Sequence, residues 1–408
     1  MLKVIELFSG IGSQTQALKD AGVPHAVVGI SEIDSYAVKV YRKLHGWATN
    51  FGDITKIKEL PKADLWTYSF PCTDISISGQ MKGFDRDSGT HSSLLWNVGK
   101  LLDVAKEKGS LPKYLLMENV KNIVSKRFKP LFQEWVDYLS SLGYKSFYQV
   151  LNAKDYGVPQ NRERCFMVSI LNYDGEFTFP EPVELKTFLQ DLLEKNVDER
   201  YFLSDRFIKY ACDVEDRNGF IRGVRFRPHD ENSKIAYTIT TNPGGRATDN
   251  FVILPACAAI RGRGKCKGEY EQTLEVQKDP ITNTITTVHK DNVILVPQAT
   301  KAGYAAAEVG DGIYTNRMKY KRGVVQKSMI PTLKTSLDIG VVVKDKDELI
   351  NIRRLTPREC WRLMGWKDID IDRAFDSGVS DTQLYKMAGN AIVVSVLTAI
   401  FIRLFKSD

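Results

Sequence analysis

A chain of 408 residues is too long for one simple hydrophobic core and calls for one large domain and a smaller one. Its composition, 43% hydrophobic and 26% charged, is that of a folded soluble protein. We read no apolar run long enough to span a bilayer, and no signal peptide before the strand-like Met1-Leu2-Lys3-Val4-Ile5. The net charge of +7 sits entirely in residues 200–345, where 23 Lys and Arg face 16 Asp and Glu, as in a module that meets phosphates.

Residues 1–171 alternate strand and helix signals. Val4–Phe8 reads as a strand, Gly10-Ile11-Gly12 as a turn, and Ser13 as the N-cap of a helix Gln14–Ala21 closed by Gly22. Ala26–Ile30, Ala63–Phe70, Tyr114–Met117 and Cys165–Leu171 read as further strands, with helices such as Leu94–Ala105 and Pro130–Leu142 between them. This rhythm predicts an α/β fold with a doubly wound, mostly parallel sheet, whose ligands bind at the carboxyl ends of the strands. Pro180-Glu181-Pro182 and the amphipathic Leu185–Leu193 read as a connector.

Beyond about residue 200 the helical period fades and a repeat emerges. Ala236–Thr241 matches Thr282–Thr287 and, loosely, Ile330–Thr335. Each precedes a β-branched run, at Phe251–Leu254, Val293–Val296 and Val341–Val343. Three hairpin-like units predict a small β-rich domain, unless Thr- and Val-rich strands simply look alike. Helices return after residue 350. Thr356-Pro357 with Glu359 predicts a capped helix reaching Met364, and Ala391–Leu404 an apolar helix that packs back on the first domain. The expected boundaries are 1–180, 200–345 and 350–408.

The chemistry-bearing residues fall at strand ends. Phe8-Ser9-Gly10-Ile11-Gly12 lies between a strand and a helix, where glycines let a ligand approach the backbone. Glu32, at the end of the next strand, suits ribose hydroxyls, and Asp53 in Gly52-Asp53-Ile54 suits an adenine amino group. An adenosine pocket results, which does not by itself separate NAD from S-adenosylmethionine.

Phe70-Pro71-Cys72 ends an apolar strand, Glu118-Asn119-Val120 ends another, and Gln160-Asn161-Arg162-Glu163-Arg164 precedes a third. A nucleophile, a carboxylic acid and two arginines are thereby expected at one sheet edge. The six cysteines, at 72, 165, 212, 257, 266 and 360, form no CxxC pair, so no metal site is expected and a reduced thiol can serve as nucleophile.

These segments, in this order, resemble the motifs of the DNA (cytosine-5) methyltransferase family, as do Arg354-Leu355-Thr356-Pro357-Arg358-Glu359 and Gly389-Asn390-Ala391. The resemblance covers roughly 1–171 and 350–408 and skips the middle, where family members differ because that region reads DNA. It implies a class I S-adenosylmethionine-dependent methyltransferase fold, with a smaller β-rich target-recognition domain. Cys72 is implied as the nucleophile on cytosine C6, Glu118 as the acid at N3, and Arg164 as the partner of O2. Arg162 either supports the catalytic loop or forms a surface ion pair. Phe8, Gly10, Gly12, Glu32, Asp53, Ile54, Leu94 and Asn390 are the implied cofactor contacts, with Trp96 either nearby or in the core. Ser78, in a lid following Cys72, is implied to reach toward the base stack. Arg225, Arg227, Arg261, Arg263 and Lys265 lie in basic, glycine-punctuated segments that suit groove-entering loops.

Two positions depart from the family pattern. Thr73 stands where Gln usually follows the Pro-Cys, and Ser13 where a glycine is usual. Neither removes a reacting group, although Thr73 leaves the fit of the catalytic loop open. The implied partner is double-stranded DNA, met by a cytoplasmic monomer, with S-adenosylhomocysteine as product and a separately encoded restriction endonuclease or none. Three alternatives are weighed. The same chemistry on tRNA is disfavoured by the large basic middle segment. A non-catalytic DNA binder is disfavoured by intact Cys72, Glu118 and Arg164. A nicotinamide oxidoreductase is disfavoured by Thr15, where a third glycine would fall.

Overall fold

The computed structural model describes residues 1–72, 74–75, 91–187, 189–195, 197–201, 258–266, 269–276, 292–297, 304–307, 310–314, 325–331, 339–344 and 350–406. Contacts divide the chain into two compact units. The first comprises Met1–Val158, Arg162–Leu185 and Met364–Asp408; the second comprises Pro159–Asn161 and Lys186–Leu363.

The first unit is built on β1 (Leu2–Leu7), β2 (His25–Ser31), β3 (Leu65–Tyr68), β4 (Tyr114–Val120), β5 (Tyr144–Asn152) and β7 (Glu163–Leu171). The short β6 (Gln160–Asn161) belongs to the second unit, where it pairs with Ile330–Pro331. The six strands form one sheet in the order β2-β1-β3-β4-β7-β5. Strands β1 to β4 pair in parallel, and β7 runs antiparallel to both β4 and β5. Val4, Ile5, Glu6 and Leu7 are all buried, as befits a central parallel strand covered on both faces. Strand β5 escapes the pattern reading because it is an edge strand, and its polar Lys145, Ser146 and Gln149 blur the alternation.

Helices α1 (Ser13–Asp20), α2 (Ser35–His45), α3 (Leu95–Glu107) and α4 (Lys129–Ser141) connect the strands. Ser13 is the first residue of α1 and not its cap, which corrects the expectation. The N-cap is Gly12 at φ +79°, a left-handed conformation that a serine would enter only with strain. Gly22 closes the helix as expected: its N–H and that of Val23 reach Lys19 O and Leu18 O, a Schellman pattern. Trp135 of α4 is fully buried, donates to the Tyr68 hydroxyl at 3.1 Å and meets Trp96 of α3 edge-on at 5.4 Å. That contact ties α3 and α4 to β3 and assigns Trp96 to the core.

Helix Val394–Phe405 packs on α1 with Val394, Leu397, Ile400 and Phe401 buried, so the chain end folds back onto the first unit. The expectation of no membrane-length apolar run is corrected by the stretch Asp381–Phe405, which is long and apolar enough by composition. It is two helices, Asp381–Asn390 and Val394–Phe405, and just over half of its apolar window is buried inside the protein.

Among the described residues the second unit is β-rich, with two four-stranded antiparallel sheets. Arg261-Gly-Arg-Gly-Lys265 is not a loop but part of the strand Ala258–Cys266. The partner strand Glu269–Val276 satisfies its backbone despite the glycines, with Arg261 opposite Thr273 and Arg263 opposite Glu271. Of the third expected unit, residues 332–335 lie outside the described residues. Ile330-Pro331 pairs with Gln160-Asn161, whereas Val341–Val343 belongs to a strand between Gly312–Tyr314 and Ile350–Arg354. Ala236–Thr241, Phe251–Leu254 and Thr282–Thr287 lie outside the described residues.

Residues 350–363 belong to the second unit, which shifts the expected boundary at 350. The reason is local. Thr356 and Glu359 form the predicted capping box on helix Pro357–Arg362, which ends two residues short of the expected Met364. The fully buried Glu359 carboxylate also accepts from Glu194 N at 2.7 Å, tying that helix to the second unit.

Candidate active site

The first turn, after β1, is held in an unusual backbone shape: Phe8 at φ +57°, Gly10 at +54° and Gly12 at +79°. A left-handed Phe8 is strained for a bulky residue. Glu32, just past β2, holds this shape. Its Oε2 accepts from Gly10 N and its Oε1 from Asp34 N, both at 2.8 Å. Each carboxylate oxygen keeps acceptor capacity, so a rigid Glu32 can still receive two hydroxyl donors. Asp53 caps the short helix Ile54–Lys56, accepting from Thr55 N at 3.0 Å and Thr55 Oγ1 at 2.8 Å; these bonds lower its pKa.

Phe8, Gly10, Glu32, Asp53, Ile54, Leu94 and Asn390 line one cavity of about 450 Å³. Gly12, the remaining expected cofactor residue, is not on its wall. It faces α2 instead, where an added Cβ would lie 2.6 Å from the rings of His45 and Tyr41. Lys19 Nζ donates to His45 Nδ1 at 2.9 Å, so Nε2 donates to Ile11 O at 3.0 Å. Burial, reinforced by the Lys19 charge, pulls the His45 pKa down to about 3 and keeps the ring neutral.

Cys72, Glu118, Arg162 and Arg164 line the same cavity. Phe70-Pro71-Cys72 follows β3. The buried Asn119 steadies that loop from β4, its Nδ2 donating to Phe70 O at 3.0 Å. Because β7 is antiparallel to β4, its first residues arrive at the carboxyl edge of the parallel strands. The register sets Arg164 opposite Val120, and Val120 shares a face with Glu118 two residues earlier. Arg164 Nε therefore lies 3.1 Å from Glu118 Oε1.

The pKa of Glu118 is raised, because its burial outweighs the opposing charges of Arg164 and Arg162. The Cys72 thiol is raised too, first by burial and then by Glu118, while Arg164 and Arg162 pull it down. Cys72 is nonetheless partly exposed, unlike the buried Cys165 and Cys360.

Arg162 is not a surface ion pair. It is 3% exposed, and its Nη2 donates to Gly389 O at 3.1 Å and Ala391 O at 2.8 Å. Pattern reading also missed Asp34 and Lys386, both on the cavity wall, whose Oδ2 and Nζ lie 2.6 Å apart across 352 residues. Nothing local in the sequence signals that pair. Asn119 was visible only as the neighbour of Glu118. Of the expected DNA contacts, Ser78, Arg225 and Arg227 lie outside the described residues, and Arg261, Arg263 and Lys265 lie in the second unit.

A model of the C-5 cytosine-specific DNA methylase family matches residues 2–406. The chain belongs to the C-5 cytosine-specific DNA methylase family. This DNA (cytosine-5-)-methyltransferase is 32% identical to the type II methyltransferase M2.ScrFI of Lactococcus lactis subsp. cremoris, covering 100% of both chains. It is 30% identical to the orphan methyltransferase M.SPRI of Bacillus phage SPR, over 98% of this chain and 96% of that one. Among solved structures, the Dnmt2 methyltransferase of S. pombe superposes with a TM-score of 0.54 at 19% identity, covering 100% of this chain and 99% of that one, a likeness of fold. The methyltransferase family and fold imply use of S-adenosylmethionine.

Proposed function

We propose that the enzyme methylates C5 of a cytosine extruded from duplex DNA, through a transient bond between Cys72 Sγ and cytosine C6. The observation that supports this reading is the shared cavity. Cys72, Glu118 and Arg164 line it together with Gly10, Glu32 and Asp53.

S-adenosylmethionine, when bound, supplies the electrophilic methyl group and leaves as S-adenosylhomocysteine. The residues present fit it. Glu32 offers a fixed pair of acceptors to ribose hydroxyls, and Asp53 offers one to the adenine amine. Phe8, Ile54 and Leu94 supply apolar walls for the base. Ser13 and Gln14, on the wall at the start of α1, lie where a helix N-terminus favours a carboxylate.

Cytosine C5 is a poor nucleophile in an aromatic ring. Addition of the Cys72 thiolate to C6 pushes electron density through the ring toward N3 and O2. Glu118, whose pKa burial raises, shares a proton with N3, and Arg164 steadies O2. The resulting enamine carries its electron pair at C5, which takes the methyl group. Loss of the C5 proton to water then restores the C5–C6 double bond and expels the thiolate, and N3 returns its proton to Glu118. The target ring is stacked inside a duplex, so it must be swung out before Cys72 can reach C6.

The second unit, β-rich and drawn from the segment that carries the excess positive charge, is the proposed target-recognition unit. The protein acts in the cytoplasm as a monomer, within a restriction-modification system or as an orphan enzyme.

Duplex DNA incubated with the protein and methyl-labelled S-adenosylmethionine should gain label, and bisulfite sequencing should map it to cytosines in one sequence context. Cys72→Ser should abolish labelling. A duplex carrying 5-fluorocytosine at the target should trap a protein–DNA adduct, since no C5 proton can leave. Label confined to tRNA, or transfer that survives Cys72→Ser, overturns the proposal.

A further inference from the structure

Helix Asp381–Asn390 ends on the cavity wall, where Met387, Gly389, Asn390, Ala391 and Ile392 lie. The last carbonyls of a helix lack intrahelical partners and gather partial negative charge, which a cation commonly satisfies. This helix carries no basic residue in its own last turn. The cation comes instead from Arg162, 227 residues from Gly389 and 229 from Ala391 in sequence, through the two carbonyl contacts described above.

Arg162 is also pinned at its main chain. Its N–H donates to Asn152 Oδ1 at 3.1 Å, and its carbonyl accepts from Ala153 N at 3.1 Å. The side chain is thus a fixed strut between the β5–β7 edge and the helix end. Its charge meanwhile acts on both Cys72 and Glu118.

We propose that Arg162 is a positioning residue that couples the two halves of the site: through two backbone carbonyls it fixes the wall on which the cofactor rests, from within the charge cluster that acts on the base. Geometry and charge are separable duties here. Both bonds leave the single Nη2 at the tip of the arginine, which lies one bond farther from Cα than a lysine ammonium, so a lysine keeps the field but falls short of the bridge. This coupling rests on the cavity being the S-adenosylmethionine site.

The test compares Arg162→Lys and Arg162→Met in the full chain. S-adenosylhomocysteine binding is measured by calorimetry, the pH profile of Cys72 alkylation by mass spectrometry, and amide exchange over residues 385–393 against α1. Both variants should bind S-adenosylhomocysteine about tenfold more weakly, the effect of losing a charged hydrogen bond. Both should exchange faster over 385–393 and unchanged in α1. The alkylation profile should stay near that of the unaltered protein in Arg162→Lys and move to higher pH in Arg162→Met. If Arg162→Met does not fold, Arg162→Lys and its exchange pattern decide the matter.

Unaltered affinity and exchange in the variants overturn the coupling while leaving the proposed function standing. An alkylation profile that moves in Arg162→Lys along with affinity also overturns it, since a merely structural residue behaves that way. Failure of the unaltered protein to bind S-adenosylhomocysteine overturns the functional reading and this coupling together.

Discussion

Arg164 Nε and Glu118 Oε1 meet at 3.1 Å, the arginine from the start of β7 and the carboxylate from near the end of β4. The pair is mostly buried, and it sits where each partner also acts on the Cys72 sulfur. Its members oppose one another at that sulfur: the guanidinium favours thiolate, and the carboxylate disfavours it.

Opposite shifts of Cys72 reactivity therefore follow from the two substitutions. Arg164→Met should move the midpoint of Cys72 alkylation to higher pH, because the charge that favours thiolate is gone. Glu118→Gln should move it to lower pH, because a charge that disfavours thiolate is gone. Glu118→Gln should still lose about 10²–10⁴-fold in kcat, since an amide cannot protonate N3. Iodoacetamide labelling of the Cys72 peptide across pH, beside single-turnover methylation, checks both halves. Shifts of the same sign would contradict the opposed charges.

Glu6 should make stability fall with rising pH. It is fully buried on β1, accepts from Thr15 Oγ1 at 2.7 Å, and burial raises its pKa from 4.5 to about 7. A carboxyl with a raised folded-state pKa binds its proton more tightly when folded. Its contribution is complete below about pH 4.5 and is lost as pH rises toward about 7. The loss is on the order of 3 kcal/mol. Glu6→Gln should remove that slope, so its stability relative to the unaltered protein climbs between pH 4.5 and 7 and is level above. Urea unfolding at several pH values measures the difference, and parallel curves would exclude it.

Gly12→Ala should be far more damaging than Gly10→Ala, although both glycines have positive φ. An alanine Cβ at 12 would lie 2.6 Å from the His45 and Tyr41 rings, whereas one at 10 meets nothing within 4 Å. Gly10→Ala should lose about 1–2 kcal/mol of stability, the strain of the left-handed conformation. Gly12→Ala adds a clash that must displace α2, and loses more. Thermal melts of the two variants side by side decide the order.

Thr356→Ala should destabilise the second unit by about 1 kcal/mol or somewhat more. The hydroxyl accepts from Glu359 N at 3.2 Å and pairs with Glu194, so the cap and a link between segments are lost together. A lower unfolding temperature with unchanged S-adenosylhomocysteine affinity is the expected result, read by calorimetry.

Much of the site was legible because its parts are short and local. A glycine turn after a strand, a carboxylate ending the next, Pro-Cys after a third and Glu-Asn-Val closing a fourth each obey local rules, and a parallel sheet then gathers strand ends at one edge. Arg164 joins them for a simple topological reason: β7 runs the other way, so its beginning lies where the others finish. Ser13 was misread as a cap because the helix-start rule favours serine, while the left-handed backbone at position 12 demanded glycine.

The chain alone pointed to the family, to the mostly parallel sheet and to the meeting of Cys72, Glu118 and Arg164 on one cavity wall, because adjacent residues and strand order suffice for those. Only the folded molecule decided that Gly12 braces α2 and leaves the cavity wall to others, that Lys386 meets Asp34, and that Arg162 turns inward to a helix end more than 220 residues away. Those are contacts between distant segments with no periodic or neighbouring signal. The Arg162 contact exists because burying a charge requires a partner, and packing selects that partner from anywhere along the chain.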